Sequence, residues 1–340
     1  MNPSSYILPA EEVSPQALAE FLKRIYPAAK SAFLVEHSAW QHTSKRFQYV
    51  IQMDKEIVGY SALIPAQVNL GGQVRAAHWW VDLVIAPEAR GQGLQSLMDK
   101  FIREQADLLL GFPNAAAAKI HRKHGWGVRE DLRILLLPLQ PARVKSVQRA
   151  SSRLVRWGAQ ALVPLAQAWS NALASRRITS ARKMEGLDAV AFEKIFSRWQ
   201  SSNLNTTRRS ASYFLRRYEQ APYTNELSYF LADEGYLIMR HLINANGLRH
   251  SRVLDLFGNF GNKTMLASLL TLAAQDALRH GAAQITLLSS LPELSRAARR
   301  LGFVISAPMR FCWLGDASAM RALAQKNYWT LADSDNDEVE

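Results

Sequence analysis

The residues best suited to chemistry lie in a short basic turn, Arg90-Gly91-Gln92-Gly93. An apolar, β-rich run ending at Pro87 precedes the turn, and an amphipathic helical pattern begins at Leu94. A helix start presents backbone N–H groups without partners inside the helix, and the helix dipole adds positive charge there. Such a turn can hold a pyrophosphate, and its glycines let a bulky ligand approach the backbone. The alternative is an ordinary strand–turn–helix connection whose glycines serve only geometry.

This turn resembles the acyl-CoA-binding motif of the GNAT superfamily of N-acyltransferases, which reads Arg/Gln-x-x-Gly-x-Gly/Ala. Arg90 and Gly93 match the motif, and Gln95 stands at its last small position. The resemblance implies acetyl-CoA or another acyl-CoA as co-substrate and no metal. It also implies that backbone groups of the preceding strand hold the pantetheine and the thioester carbonyl. The implied cofactor-binding residues are Leu83, Val84, Ile85, Arg90, Gly91, Gln92, Gly93, Leu94, Gln95 and Asn114.

A second stretch, Asn114 to Trp126, resembles the family's other signature, Asn-x-x-Ala…Tyr-x-Lys-x-Gly-Phe. His121 stands where the family usually carries a tyrosine. Because a histidine can donate a proton near neutral pH, His121 is the candidate acid for the departing thiolate. The alternative is a residue on the helix surface. His121 and His124 have no carboxylate or thiolate nearby in sequence, so they do not suggest a metal site.

Acyl transfer from a thioester also needs a neutral amine, and therefore a general base. Strand alternation predicts that Asp82 and His78 share one face of the strand before the turn with Trp80. A carboxylate beside tryptophans can have a raised pKa and accept the proton, which makes Asp82 the first candidate base. His78 is the second. The alternative for Asp82 is an ion pair with a nearby arginine.

The pattern of elements predicts an α/β (α+β) fold with two tandem GNAT-like domains, each a mixed, mostly antiparallel sheet flanked by helices. A strand–helix–Gly-aromatic unit occurs at Leu108–Trp126 and again at Ile285–Phe303. We expect a catalytic domain at 1–141, a basic helical linker at 142–184 and a degenerate domain at 185–340. The second domain is predicted to be degenerate because its turn, Gly258–Lys263, lacks the arginine, and Ala298 falls at the tyrosine position.

The composition indicates acidic partners and a protein without disulfides. The 340 residues carry a formal net charge of +12, which favours acidic partners such as coenzyme A phosphates, nucleotide-linked substrates, anionic lipid or nucleic acid. The single cysteine, Cys312, excludes a disulfide within the chain. The N-terminus lacks a signal-peptide pattern, and no apolar run reaches transmembrane length. We therefore expect a cytoplasmic location, with peripheral binding at the inner face of the membrane as an extension.

That extension depends on residues 143–179, a basic and amphipathic stretch. Acidic residues are absent from Leu132 to Met184. Either the stretch lies on an anionic membrane surface, or its apolar face packs between the domains while its arginines stay in water. The second interpretation is favoured, because apolar helical stripes usually face a core. Nucleic-acid binding is not favoured, since the stretch has no recognised module and no interleaved aromatic platform.

The sequence thus predicts an acyl-CoA-dependent N-acyltransferase, with acetyl as the first choice of acyl group and a small-molecule amine as acceptor. An amino sugar of a polysaccharide precursor is one such acceptor. It is suggested by a looser resemblance of Gly111–Asn114 and the Trp329…Asp335 tail to two-domain proteins of bacterial surface-polysaccharide synthesis. The alternative is a non-catalytic GNAT-fold scaffold that binds acyl-CoA or the membrane. The sequence leaves the oligomeric state open.

Overall fold

The computed structural model describes residues 5–42, 47–140, 168–169, 172, 175–176, 178–201, 203–244 and 247–335. Most of the basic stretch 143–179 lies outside these residues, so both interpretations of it remain predictions. Within the described part of the chain, no helix is both long enough and apolar enough to cross a membrane. Below, the first half means residues 5–140 and the second half means residues 178–335.

The first half follows the predicted order of elements. It contains β1 (Ser5–Pro9), α1 (Pro15–Ile25), α2 (Ala28–His42), β2 (Gln48–Met53), β3 (Glu56–Leu70), β4 (Gln73–Ile85), α3 (Leu94–Gln105), β5 (Leu109–Gly111), α4 (Ala115–Lys123) and β6 (Gly127–Pro138). Pro15 begins α1, where its missing N–H removes no helical hydrogen bond. The predicted cap of α4 is also present, because Asn114 Oδ1 accepts a hydrogen bond from Ala117 N at 2.9 Å.

The second half repeats this alternation with additions. It contains β7 (Ala181–Met184), α5 (Ala189–Trp199), β8 (Asn205–Thr207), α6 (Ala211–Phe214), β9 (Leu227–Ala232), β10 (Gly235–Ile243), β11 (Arg249–Gly258), α7 (Lys263–Arg279), β12 (Gln284–Ser289), α8 (Pro292–Arg300), β13 (Val304–Leu314), α9 (Ala317–Leu323) and β14 (Asn327–Tyr328). β13 was not predicted from the sequence. Its interior Pro308 argues against a strand, and irregular register on both sides of Pro308 breaks the alternation.

All strands of the described residues join one mixed, 14-stranded sheet flanked by helices. The main order is β1-β2-β3-β4-β5-β13-β6-β12-β11-β10-β9-β7, with β8 on β3 and β14 on β8. The predicted mixed, mostly antiparallel α/β fold is therefore confirmed, but the two expected sheets are halves of one sheet. Parallel pairs occur at β4–β5 and at β11–β12 in corresponding places.

The two halves exchange their last long strands. β13, from the second half, lies between β5 and β6 of the first half, and β6 pairs with β12 of the second half. Gly127 shows how closely the exchanged strands pack, since a Cβ at that position would lie 2.3 Å from the Trp313 ring. The exchange makes the first half's sheet depend on the end of the chain. The domain boundaries at 141/142 and 184/185 remain predictions.

Candidate active site

A cavity of about 880 Å³ opens where β4 and β5 separate. The two strands pair only at His78–Leu109 and Trp79–Leu110. Beyond that point β4 contains a bulge at Asp82, whose φ of 57° is left-handed. The cavity brings together these predicted site residues: Asp82, Leu83, Val84, Ile85, Arg90, Gly91, Gly93, Leu94, Gln95, Asn114 and His121.

Two predicted site residues do not line this cavity. The ring of His78 packs against that of Phe47, with centroids 5.3 Å apart. Gln92 is exposed at the tip of the turn. His78 and Asp82 were expected to share one face by strict alternation, but the bulge inserts a residue and interrupts the alternation. The structure therefore separates the second candidate base from the first.

The turn before α3 is open towards the cavity. Gly91 and Gly93 have φ angles of 80° and 78°, a region that side-chain-bearing residues rarely adopt. A Cβ built on either glycine would meet nothing within 4 Å. Gly93 is also the N-cap of α3, and no side chain caps the helix start. Free helix N–H groups beside open space form a site suited to an anion.

Two polar side chains border this turn. Arg90 lines the cavity, and its Nε donates a hydrogen bond to Ile85 O at 3.2 Å, which holds the guanidinium across the end of β4. Gln95 also lines the cavity, and its buried Nε2 has no hydrogen-bond partner among the described residues. A buried donor without a partner is costly. Gln95 is therefore suited to donate a hydrogen bond to a bound ligand.

Asp82 is the buried acid of the cavity wall. Its side chain has no solvent exposure, and Lys30 Nζ lies 2.6 Å from its Oδ1. The Lys30 ammonium also faces Asp335 Oδ2 at 3.7 Å. Burial raises the pKa of Asp82 to about 6, the charge of Lys30 opposes this increase, and the charge of Asp335 adds to it. A carboxyl with such a pKa is largely ionised at neutral pH and still binds a proton readily.

The partner of Asp82 is thus a lysine, whereas an arginine was the expected alternative. Lys30 is on α2 and Asp335 lies near the end of the chain, and both line the cavity. The hydroxyl of Tyr26 donates a hydrogen bond to Asp82 O at 2.9 Å and helps to fix the bulge. Lys30, Asp335 and Tyr26 were not predicted as site residues, because none has a local sequence pattern that connects it with β4.

His121 is buried, not a residue on the helix surface. Its ring packs against Trp80 and Trp126, with centroids 5.2 and 4.6 Å apart. Nδ1 lies 3.7 Å from Asp99 Oδ1, on the side of the ring that faces α3. Because Nδ1 faces a carboxylate, Nε2 is the nitrogen left to act on a molecule in the cavity.

Asp99 connects His121 to the surrounding structure. It accepts hydrogen bonds from Arg103 Nε at 2.7 Å and Trp126 Nε1 at 2.8 Å, and its Oδ2 lies 2.9 Å from His124 Nδ1. Burial alone would raise the pKa of Asp99, but the neighbouring His121 and His124 and the charge of Arg103 lower it to about 2. Asp99 is therefore an anion that orients the candidate acid.

We expect Asp99→Asn to lower the free energy of unfolding by about 2 kcal/mol at pH 7. The folded-state pKa lies below the unfolded value, so the stabilisation is present above pH 4 and is lost as the pH falls towards 2. Urea denaturation at pH 7 and at pH 3 measures the difference. Asp107→Asn, at an exposed position, is the control. An equal loss of stability at both pH values would contradict the lowered pKa of Asp99.

A group outside this cavity has the residue types of a metal site. His241, Asp276 and His280 place ligand-type atoms within 4.8 Å of one another. Asp276 is already paired with Lys183, whose Nζ lies 2.6 Å from Oδ1. The two imidazole rings are stacked with centroids 3.8 Å apart, so their nitrogens do not converge on one point. The expected absence of a metal at the candidate active site remains a prediction.

The part of the chain that contains this site matches a known protein family. Residues 10–129 match the family described as Acetyltransferase (GNAT) domain. The matched range contains β4, the turn, α3 and α4, so it covers every predicted site residue. The match extends well beyond the motif on both sides and supports the GNAT resemblance of the first half. A search of curated proteins found no significant match.

Solved structures of an N-myristoyltransferase and of GCN5-related N-acetyltransferases share the fold over most of the chain. Saccharomyces cerevisiae N-myristoyltransferase with bound myristoyl-CoA is 12% identical with a TM-score of 0.64, over 92% of this chain and 83% of that one. A GCN5-related N-acetyltransferase from Kribbella flavida is 13% identical with a TM-score of 0.58, over 94% and 74%. One from Anabaena variabilis is 15% identical with a TM-score of 0.58, over 91% and 72%. At these identities the likeness establishes the fold alone.

Proposed function

We propose that the protein is an acyl-CoA-dependent N-acyltransferase with its active site in the first half. The observation that carries this proposal is the single cavity that joins the open turn at Gly91–Gly93, the separated end of β4, Asp82 and His121. The GNAT family match over residues 10–129 supports acyl transfer as the reaction class. Acetyl-CoA is the first donor to test, and the longer acyl-CoAs follow.

The residues present fit an acyl-CoA. Helix N–H groups and the space beside Gly91 and Gly93 suit the pyrophosphate, with Arg90 adding positive charge. The unpaired donor of Gln95 lies in the same wall, so this off-motif residue suits hydrogen bonding to the ligand. The bound thioester supplies an activated acyl group. The separated edge of β4 at Leu83–Ile85 supplies backbone groups to orient it.

Asp82 and His121 divide the proton transfers. Asp82 accepts a proton from the acceptor amine, and the neutral nitrogen then forms a bond to the acyl carbon. The carbon–sulfur bond breaks, Nε2 of the protonated His121 gives a proton to the departing thiolate, and the second proton that the nitrogen loses returns to His121. Asp82 then releases its proton to water, so that the net reaction frees one proton. Lys30 keeps Asp82 ionised between turnovers, since its positive charge opposes the effect of burial on the pKa. The products are an amide and free coenzyme A.

The acceptor side of the cavity favours a cationic amine. Asp82 and Asp335 place two carboxylates around one ammonium group, that of Lys30. An incoming amine can pair with either carboxylate before it loses its proton. Within this class, we propose amino sugars of polysaccharide precursors as the first acceptors to screen. A cytoplasmic location, with residues 143–179 contacting an anionic membrane, remains a further proposal that co-sedimentation with anionic liposomes tests.

We expect saturating acetyl-CoA, or a longer acyl-CoA, to raise the melting temperature by roughly 3–5 °C. Ligand that binds only the folded state adds about 2.7 kcal/mol of stability at a concentration of about 100 Kd. Differential scanning fluorimetry with acyl chains of increasing length measures the change. Two controls separate the contributions of the phosphates. Dephospho-coenzyme A keeps the pyrophosphate and lacks the 3′-phosphate, whereas free adenosine lacks both. Absence of a shift with every acyl-CoA would contradict an acyl-CoA site.

A non-catalytic acyl-CoA-binding scaffold is the second candidate function. The observation that favours it is the 2.6 Å ion pair, in which Lys30 already occupies one oxygen of the candidate base. Release of free thiol from acetyl-CoA across a panel of amines separates the two candidates. Binding without thiol release from any amine would favour the scaffold.

A further inference from the structure

The second half contains a cleft that corresponds to the active-site cavity. β11 and β12 pair in parallel only from Ser251–Ile285 to Val253–Leu287, and then they separate as β4 and β5 do. β11 also has a register shift beside a buried aspartate, Asp255, much as β4 has one beside Asp82. The two halves therefore offer the same kind of opening between strands.

The helix start at this second cleft is closed to an anion. The side chain of Asn262 caps α7 by accepting a hydrogen bond from Met265 N at 3.0 Å. Glu234 Oε2 accepts hydrogen bonds from Asn259 Nδ2 at 3.1 Å and from Asn262 Nδ2 at 2.7 Å. A capped helix start beside a carboxylate is unsuited to a pyrophosphate. The cleft has a different occupant.

The occupant is the chain's own segment 327–335. The Tyr328 hydroxyl donates a hydrogen bond to Leu256 O on β11. The next residue, Trp329, donates its backbone N–H to Ser290 Oγ, just beyond β12, at 3.2 Å. Both side chains are fully buried. These adjacent residues therefore bridge the two separated strand ends.

Two buried arginines hold residues 332–334 of the segment through hydrogen bonds. Arg209 Nε donates to Asp255 Oδ2 at 2.8 Å, and its Nη2 donates to Asp333 at 3.3 Å. Arg217 donates to Ala332 O at 3.0 Å through Nε and to Ser334 O at 2.6 Å through Nη2. The chain is therefore fixed up to the residue before Asp335. Asp335 then lies at the first half's cavity, 3.7 Å from Lys30.

We propose that the second half's cleft is a socket for residues 327–335, and that this socket positions Asp335 beside Lys30 at the active site. The role of Asp335 rests on the proposed function, whereas the socket does not. Asp335 offers Lys30 a second carboxylate, which frees Asp82 to accept the proton of the amine. Asp335 is thus a positioning residue that acts through Lys30. The other charged or titratable groups around this pair are Arg217 and the buried His42 on α2, together with the Tyr26 hydroxyl.

The socket has a test that needs no enzymatic activity. Hydrogen exchange followed by mass spectrometry should show that peptides covering 328–334 are protected in the folded wild type. Arg217→Lys keeps the charge but loses the paired donors, so we expect faster exchange there. Arg216→Lys, at the neighbouring arginine, is the matched control and should leave the exchange unchanged. Rapid exchange of 328–334 in the folded wild type would overturn the socket, whatever the activity.

The role of Asp335 is tested by a double-mutant cycle in the full chain. We expect Asp335→Asn to lower kcat roughly tenfold to a hundredfold, to leave KM for acyl-CoA unchanged and to move the acidic limb of the pH profile to lower pH. Arg217→Lys should act through Asp335 and add little in the Asp335→Asn background. Additive effects, or an unchanged pH limb, would show that the segment is merely structural. If the wild type binds acyl-CoA but acylates no amine, the role of Asp335 is overturned and the socket stands on its exchange data.

Discussion

Asp82→Asn is expected to reduce acyl transfer by about 10²–10⁴-fold while making the protein more stable at pH 8. The loss of activity follows from removing the proposed general base. The gain in stability follows from burial, which raises the pKa of Asp82 to about 6, so that its ionised form is disfavoured in the folded state. Asparagine removes this cost, worth up to about 3 kcal/mol. It also tolerates the left-handed φ of 57° at this position.

The stability difference between the wild type and Asp82→Asn should depend on pH. Because the folded-state pKa of Asp82 exceeds the unfolded value of 3.8, the folded protein binds this proton more tightly. The destabilisation is therefore complete above pH 6 and disappears as the pH falls towards 4. Urea denaturation should show the gain for Asp82→Asn at pH 8 and little of it at pH 4.5. In the wild type, kcat/KM should fall below about pH 6 as Asp82 becomes protonated.

Asp54→Asn is the matched control for Asp82→Asn. Asp54 also has a positive φ, 49°, but it is exposed in the turn between β2 and β3. Its replacement should change neither activity nor the pH dependence of stability. If Asp82→Asn retained more than about a tenth of wild-type activity, the general base would lie elsewhere.

Gly93→Glu is expected to weaken acyl-CoA binding by more than about 100-fold. The new side chain would place a carboxylate at the uncapped start of α3, where the diphosphate is proposed to bind. Two negative charges brought together in a partly desolvated site repel each other by several kcal/mol. Calorimetric titration with acetyl-CoA measures the change, and the thermal shift with acetyl-CoA should disappear.

Gly71→Glu provides the control for backbone strain and added charge. Gly71 has a φ of 57°, and a Cβ built on it would meet nothing within 4 Å, but it lies in the β3–β4 hairpin turn away from the cavity. Both variants introduce a side chain at a left-handed position, which costs about 1–2 kcal/mol of stability. Only Gly93→Glu should lose the ligand. Unchanged affinity in that variant would move the cofactor site away from the turn.

The sequence alone determined the features that depend on short stretches of chain. The glycines of the turn, the proline at the start of α1 and the Asn114 cap of α4 were all predictable. Each depends on the conformational preferences or hydrogen bonds of residues only a few positions apart. The same local logic predicted which residues of β4 and α3 would gather around the turn.

The tertiary structure alone decided the features that join distant residues. β13 inserts between β5 and β6 of the first half, and it was not predicted because Pro308 is unusual inside a strand. Lys30 lies between Asp82 and Asp335, and Asp99 lies beside His121, through side chains brought together from separate elements. Strand exchange and buried ion pairs depend on how the whole chain packs, because burial sets the cost of each charge and strand pairing sets its neighbours. The turn proposed to bind acyl-CoA was therefore predictable from the sequence, whereas the side chains around the candidate base and the candidate acid could be identified only from the fold.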